Sequence, residues 1–286
     1  MTHEPRADSA GCPEPGSTRY AALDAAALRA LLAERDQTLA DLSAAQEEFL
    51  RAVSHDLRAP LRHITSYSPL VRELVEDGAQ GQGLPAEARA EAVHFLDTID
   101  HAARRMGQML DGLLGLSRVG RAALQPQAVD LARLVQDAQS QLAPQAAGRP
   151  VEWVVDTQGL ALHADPVLLR QLLGELLGNA LKFTARPRAA GGPAHIAVTA
   201  RRGQDGWVDW QVRDDGAGFD PARAGALFGV FQRVHRESEF DGVGVGLATA
   251  RAIALRHGAS IAISAAPGAG CTVSLRWPQP GADRAG

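Results

Sequence analysis

Residues 49–61 read FLRAVSHDLRAPL, and the spacing of their apolar side chains decides how the first part of the chain folds. Phe49, Val53 and Leu57 recur at four-residue steps. Leu28, Leu32, Leu39 and Leu42 continue the pattern upstream and Ile64 continues it downstream, with Arg35 and Gln46 at intermediate seam positions. Apolar residues at steps of three and four form a heptad seam, the mark of helices that pair. The pattern predicts one long helix from about Tyr20 to Val75. Gly78, Gly81, Gly83 and Pro85 then predict a loop. A second helix is expected from about Ala86 to Ser117, with Val93, Leu96, Ile99, Met106, Met109, Leu110, Leu113 and Leu114 among its apolar positions. A lone helical hairpin leaves its seam in water. Two copies side by side bury it as a four-helix bundle, so a homodimer is expected.

His55 departs from the seam. At about 100° per residue it lies roughly 160–200° around the helix from Val53 and from Leu57, which points it at water. Asp56 beside it can hydrogen-bond one ring nitrogen, fix the tautomer and raise the basicity of the other. Two readings stand at this level: an activated nucleophile, or an ordinary exposed His–Asp pair. Pro60 falls inside the helical pattern, where proline bends the backbone. Pro69 is a second interior proline, which either kinks the helix or ends it early.

Composition narrows the possibilities. Hydrophobic residues make up 45% of the 286-residue chain, enough for a packed core. A net charge of −4 gives no electrostatic reason to expect nucleic acid as a partner. Cys12 and Cys271 are the only cysteines and stand far apart, which argues against a disulfide framework or zinc site and fits a reducing cytoplasm. No apolar run approaches the ~18 residues a membrane helix needs. Residues 1–19 read as a disordered tail without the layout of a signal peptide. Among 29 Lys plus Arg there is a single lysine, Lys182. Either one lysine survived a strong arginine bias, or a compact mobile ammonium is required there.

Beyond the hairpin (residues 20–118) comes an expected linker, residues 119–127 (VGRAALQPQ). A mixed region from 128 to 278 and a short tail, 279–286, follow. Helices are expected at Leu131–Leu142, Pro166–Phe183 and Gly246–His257, interleaved with strands VEWVVD, HIAVTARR, WVDWQVRDD, SIAISAA and CTVSLRW. That order suggests a two-layer α/β sandwich.

Four blocks in this region carry chemistry. In ELLGNALKFT (175–184), Glu175, Asn179 and Lys182 sit at i, i+4 and i+7 on one helix face. They can hold Mg²⁺ and phosphate, or form a solvated polar stripe. In DDGAGF (214–219), Gly216 and Gly218 let backbone approach a flat ring, and Asp214 can accept from an exocyclic amine. LFGVFQRVH (227–235) supplies Phe228 and Phe231, either lid-packing or plain core aromatics. In DGVGVGLATARAIALRHG (241–258), Gly242, Gly244 and Gly246 precede a helix and offer amides to phosphate. No G-x-x-x-x-G-K-[ST] occurs, so a P-loop is excluded, and the late glycines without a βαβ continuation exclude a Rossmann site.

With HDLRAPL (55–61), these blocks resemble, in order, the H, N, first glycine, F and second glycine boxes of sensor histidine kinases. The resemblance spans roughly residues 45 to 277. It implies an α+β architecture: an N-terminal helical hairpin forming a dimeric four-helix bundle, then a two-layer α/β sandwich that binds ATP. It implies that His55 takes the γ-phosphoryl group with Asp56 as helper and Glu175 assisting. It implies that Asn179 is a Mg²⁺ ligand, with Glu175 alongside. Lys182, Arg233, Gly242, Gly244 and Gly246 would hold phosphate, Asp214 would read the adenine amine between Gly216 and Gly218, and Leu247 and Thr272 would be further nucleotide contacts. The implied activity is ATP-dependent autophosphorylation followed by transfer to an aspartate on a response-regulator receiver domain, under an upstream sensor domain or protein. The alternatives are a catalytically degenerate kinase serving as a nucleotide-binding dimeric scaffold, and another ATPase of the same superfamily. Two positions depart from the family pattern. Ala59 stands where Thr or Asn is common and supplies no polar group to orient a water for dephosphorylating the partner. Asp215 stands where Asn is common and adds a carboxylate.

Overall fold

A computed structural model describes residues 24–79, 85–146, 148–185, 192–203, 205–236 and 238–280. The expected N-terminal tail with Cys12, the loop glycines Gly81 and Gly83, most of the C-terminal tail, and the side chains of Leu39 and Leu42 lie outside the described residues. The chain divides into two units, Met1–Ala52 and Val53–Gly286.

Helix α1 spans Ala25–Ala79. Asp24 starts it by accepting the Ala27 N–H at 2.7 Å, satisfying one of the orphan donors of a first turn. In the first unit its apolar residues Leu28, Leu32, Phe49 and Leu50 are all exposed. The helix runs on through Pro60 and Pro69. Thr65 and Ser68 donate their hydroxyls back to the carbonyls of Leu61 and Ile64, at 3.0 and 2.6 Å, in the turn before Pro69.

In the second unit, helix α2 (Ala86–Arg121) returns alongside the C-terminal part of α1, and the Tyr67 and Phe95 rings stack with centroids 5.2 Å apart. Helix α2 continues past Ser117, the end expected from its pattern, and the segment expected as a linker is held in place. Val119 is buried and Leu124 packs on the core. Arg256 donates to the carbonyls of Val119 and Ala122.

The remainder is two-layered. A five-stranded sheet has the order β2-β4-β5-β7-β6, from β2 (Val151–Asp156), β4 (Ala194–Arg202), β5 (Trp207–Asp214), β6 (Ser260–Ala265) and β7 (Cys271–Pro278). Only the β2–β4 pair is parallel. Two four-residue strands that no periodicity announced, β1 (Gln127–Asp130) and β3 (Ala161–Ala164), pair as a separate antiparallel ribbon. Helices α3 (Leu131–Leu142), α4 (Pro166–Phe183) and α5 (Gly246–Arg256) share one hydrophobic core with the sheet. Helix α4 lies at its centre, with Leu168, Leu169, Leu172, Leu173, Leu176, Leu177, Ala180 and Leu181 buried. Facing it are Ile196, Val198, Trp210, Val212, Leu275 and Trp277, the inward set of alternating strands.

The start of α4 is fixed by Asp165, which is buried. Its carboxylate accepts the N–H groups of Val167 and Leu168 as an N-cap and of Gln125 from the linker, at 3.0, 3.2 and 3.1 Å. Pro166 at the first helical position forfeits an N–H that would have had no helical partner. The Asp165 N–H donates to His257 Nε2 at 3.0 Å, while His257 Nδ1 donates to the Ile253 carbonyl at 2.8 Å. That geometry requires a neutral imidazole, and burial holds the His257 pKa below its ordinary value despite the pull of the Ile253 bond and the Asp165 charge.

Removing the cap in Asp165→Ala leaves three backbone donors without their acceptor, and urea unfolding should show a loss of about 2 kcal/mol. The unfolded chain protonates His257 more readily than the folded chain does. Stability should therefore fall as pH drops below the unfolded value near 6.5 toward the lower folded one. His257→Gln should flatten that fall between pH 7.5 and 5.5, and an unchanged slope in this variant would assign the pH dependence to other groups.

Candidate active site

Between α4, α5 and the sheet lies a cavity of about 420 Å³. Its deep end is apolar, lined by Leu176, Ala180, Val212, Ile263 and Val273, with the Asp214 carboxylate at the end of β5 as its polar group. Asp214 is buried and accepts the Gly216 N–H at 2.9 Å. The turn that follows needs glycine. A Cβ on Gly216 would fall 2.5 Å from the Phe183 carbonyl oxygen, and one on Gly218, where φ is 57°, would overlap the Ala266 carbonyl. Cys271 closes the floor, and burial, with the Asp214 charge added, pushes its thiol up to about 12, so it remains protonated and acts as a small apolar wall.

The open end is polar. Glu175, Asn179 and Lys182 line it from one face of α4, as their spacing predicts, and Gly242, Gly244, Gly246 and Leu247 line it from the loop and first turn of α5. Gly246 lets α4 and α5 approach: a Cβ there would overlap the Glu175 carboxylate and lie 3.7 Å from the Asn179 amide nitrogen. Burial raises the Glu175 pKa, partly offset by Lys182. Burial lowers the Lys182 pKa and the Arg233 charge pushes the same way, while Glu175 and Asp241 pull it back. Both groups are thus held in an unfavourable charged environment that a cation beside Glu175 and an anion beside Lys182 would relieve.

Arg233 lines the same end, but its guanidinium is engaged. Nη1 donates to the Gly242 carbonyl and Nη2 to the Phe240 carbonyl, both at 2.5 Å, so it ties the 227–235 segment to the glycine loop. Phe231 stands at φ 62°, its N–H bonded to the Gly244 carbonyl at 2.8 Å. Gly244, at φ 79°, has the Phe231 backbone within 3.0 Å of where a Cβ would stand.

The expected residues sort into two places. The ten just described as lining the cavity come together, counting Gly218 and Arg233 with the α4 face, Asp214 and the loop. Gly216 supports the turn behind Asp214. Thr272 is a correction: it lies on β7 between Cys271 and Val273, which do line the cavity, and strand alternation sends its side chain to the other face of the sheet. Asp215 is also turned away, its carboxylate accepting the His195 N–H at 3.0 Å, so the extra charge does not line the cavity. His55 and Asp56 lie on α1, outside the cavity. The His55 side chain is 82% exposed, and its Nδ1 meets the Asp56 carboxylate at 2.9 Å.

Two features escaped the sequence reading. Phe183, His235 and Phe240 form an aromatic cluster with centroids 5.0 to 5.4 Å apart, and Lys182 Nζ sits 4.4 Å over the Phe183 ring. The 227–235 segment, the start of α5 and the hairpin share a small core, in which Phe231, Val245 and Met109 are buried against Val53, Leu57 and Leu113. The aromatics within FQRVH and EF were a signal for the first. Nothing in either segment alone signalled the second.

Two family matches cover most of these features. Residues 45–122 match the His Kinase A phospho-acceptor domain, and residues 164–281 match the histidine kinase-, DNA gyrase B- and HSP90-like ATPase. The histidine protein kinase DivJ of Caulobacter vibrioides is 32% identical over 242 residues, 83% of this chain and 38% of that protein. Cyanobacterial phytochrome A of a Nostoc species is 28% identical over 253 residues, 88% of this chain and 31% of that protein. The crystal structure of full-length ShkA in complex with AMPPNP superposes with a TM-score of 0.50 at 26% identity, covering 81% of this chain and 45% of ShkA. The chain spans about a third of the length of the curated relatives it matches first.

Lys182 gives the site its own reporter. Carbon-13 lysine labelling should yield a single side-chain resonance titrating below the ordinary lysine value near 10.4. Adding a nucleoside triphosphate should move the midpoint upward, because an anion favours the ammonium. A midpoint at or above the ordinary value in the ligand-free chain would contradict the burial of the amine.

Proposed function

This chain belongs to the histidine kinase family, and from that premise we propose that it uses ATP to phosphorylate His55 and passes the phosphoryl group to an aspartate of a response-regulator partner. The observation that carries this reading is the cavity that gathers Asp214, Asn179, Lys182 and the glycine loop in the same unit as an exposed His55 already paired with Asp56.

In this reading the adenine ring occupies the apolar end. Asp214 accepts its amino hydrogen, and Gly218 leaves room for the plane of the ring. Asn179 and Glu175 supply two oxygen donors suited to Mg²⁺ and would hold it beside the phosphates. The bound Mg²⁺ would draw charge from the phosphate oxygens. Lys182 and the amides around Gly242, Gly244 and Gly246 neutralise the rest. With Nδ1–H donating to Asp56, the His55 Nε2 lone pair faces outward. Nε2 attacks the terminal phosphorus, an N–P bond forms, and the bridging P–O bond breaks with its electron pair remaining on the diphosphate oxygen. Asp56 offsets the positive charge that the phosphorylated ring acquires. Little covalent work falls to the protein, and positioning supplies most of the rate.

His55 does not line the cavity, so the ATPase body must shift relative to the hairpin before transfer. The pivot is the stretch after Val119, and the shift breaks the bonds from Arg256. The exposed apolar side chains Val93, Leu96, Leu110 and Leu114 on α2, with Leu61 and Leu70 on α1, form the surface that a second copy covers. No helix among the described residues is long and apolar enough to cross a membrane.

Incubation with Mg²⁺ and ATP labelled at the γ-phosphate should give label that is lost in acid and survives alkali. His55→Gln should abolish it and Asn179→Ala should slow it by about a hundred-fold. ATP binding without label in any of the three would leave the scaffold as the better account. The paired change Leu96→Glu and Leu110→Glu should convert a dimer to a monomer by light scattering, and a dimer that persists would move the interface elsewhere.

A further inference from the structure

A second cavity, of about 810 Å³, adjoins the first at its polar end and shares Glu175, Asn179, Lys182, Asp241 and Gly242 with it. Its opposite wall belongs to the hairpin. His101, Arg104, Arg105 and Gln108 of α2 line it, at i, i+3, i+4 and i+7, so one helix face presents all four. About two turns of a helix outside the ATPase domain thus face the place where phosphates leave the adenine pocket.

The cations of this cavity are not equivalent. Arg149 donates to the carbonyls of Thr184 and Leu181, at 3.0 and 3.2 Å, and closes the end of α4. Arg104 pairs with Asp100 on its own helix at 2.8 Å and is 77% exposed. Arg105 is half-buried and faces the cavity. Glu239 and Asp241 line the cavity too, so the ligand-free charges are mixed and an incoming phosphate meets a guanidinium already set in a partly desolvated wall. The ammonium of Lys182, disfavoured by burial on the facing side, needs the same kind of anion.

We propose that the Arg105 face of α2 is the outer wall of the phosphate subsite, with the Arg105 guanidinium binding the terminal phosphate of the nucleotide while the ATPase body is docked on the hairpin. This rests on the nucleotide reading above and adds to it: the hairpin is then part of the binding site as well as the carrier of the acceptor. A triphosphate reaches across the cavity to α2 and a diphosphate falls short. Binding of the two nucleotides therefore differs by a contact between domains, and giving up that contact is part of the shift that precedes transfer.

The test measures binding of an imido analogue of ATP and of ADP, each with Mg²⁺, to the full chain by calorimetry. Arg105→Ala should weaken the analogue about ten-fold, as for loss of a hydrogen bond to a charged group at a partly exposed site, and ADP less than about two-fold. Arg105→Gln should behave likewise, and Arg105→Lys should restore part of the loss. Arg89→Ala, an exposed arginine of α2 outside both cavities, should change neither ligand. Unchanged affinity for the analogue in both Arg105→Ala and Arg105→Gln, or an equal loss for both ligands, overturns the proposal. A parent chain that binds neither ligand overturns the nucleotide reading instead, and the two failures are told apart by the parent alone.

Discussion

The carboxylate of Asp165 is the point on which the rest of the second unit is hung. One side chain starts α4, accepts the linker N–H of Gln125, and shares its residue with the His257 bond that anchors the end of α5. Helix α4 is rigid and buried along its length, so its first turn determines the direction in which its last turns point. Glu175, Asn179 and Lys182 line the cavity because a cap three turns away sets the rotation of the helix that carries them. Burial of a lone carboxylate is costly, and here three backbone donors and a neutral imidazole acceptor at the adjoining N–H satisfy the surroundings of the charge.

The cavity itself is electrostatically unfinished. Glu175 is pushed toward its neutral form and Lys182 toward its own, each by burial, although the two partly compensate one another. A site of this kind costs stability in the empty chain and recovers it when a ligand carrying complementary charge enters. Arginine cannot play the part of Lys182: a planar guanidinium is bulky, and the neighbouring one of Arg233 is already spread across two carbonyls. In a chain with a strong arginine bias, the compact ammonium stands beside the glycine loop, with the Cβ position of Gly242 3.4 Å from Lys182 Nζ.

What the sequence made legible is what one element reveals about itself. The exposure of His55, the shared face of Glu175, Asn179 and Lys182, and the glycine loop before α5 all follow from helical period and turn chemistry. What stayed hidden depends on partners distant in sequence. Strands β1 and β3 have four residues each, too few for alternation to register, and exist because they find one another. Thr272 was implied by the resemblance alone, but its neighbours Cys271 and Val273 own the inward face of β7. The burial of Val119 and the engagement of Arg256 turned an apparent linker into a docked segment, and neither residue advertises that bond. Phe231 was open between a lid and a plain core aromatic, and its burial between Met109 and Val245 belongs to the packing of two domains.

At Gly112 the surface of α2 is so close to the root of α5 that an added Cβ would lie 2.9 Å from a methyl of Val245. The residues on either side, Asp111 and Leu113, stand about 100° away around the helix. A turn of α2 about its own axis through even part of that angle replaces a bare backbone with a side chain at the contact. Val245 immediately precedes Gly246, the first residue of α5. The bare flank of one rod thus rests against the tip of another, and a side chain at position 112 would have to displace Val245 at the root of the glycine loop's helix.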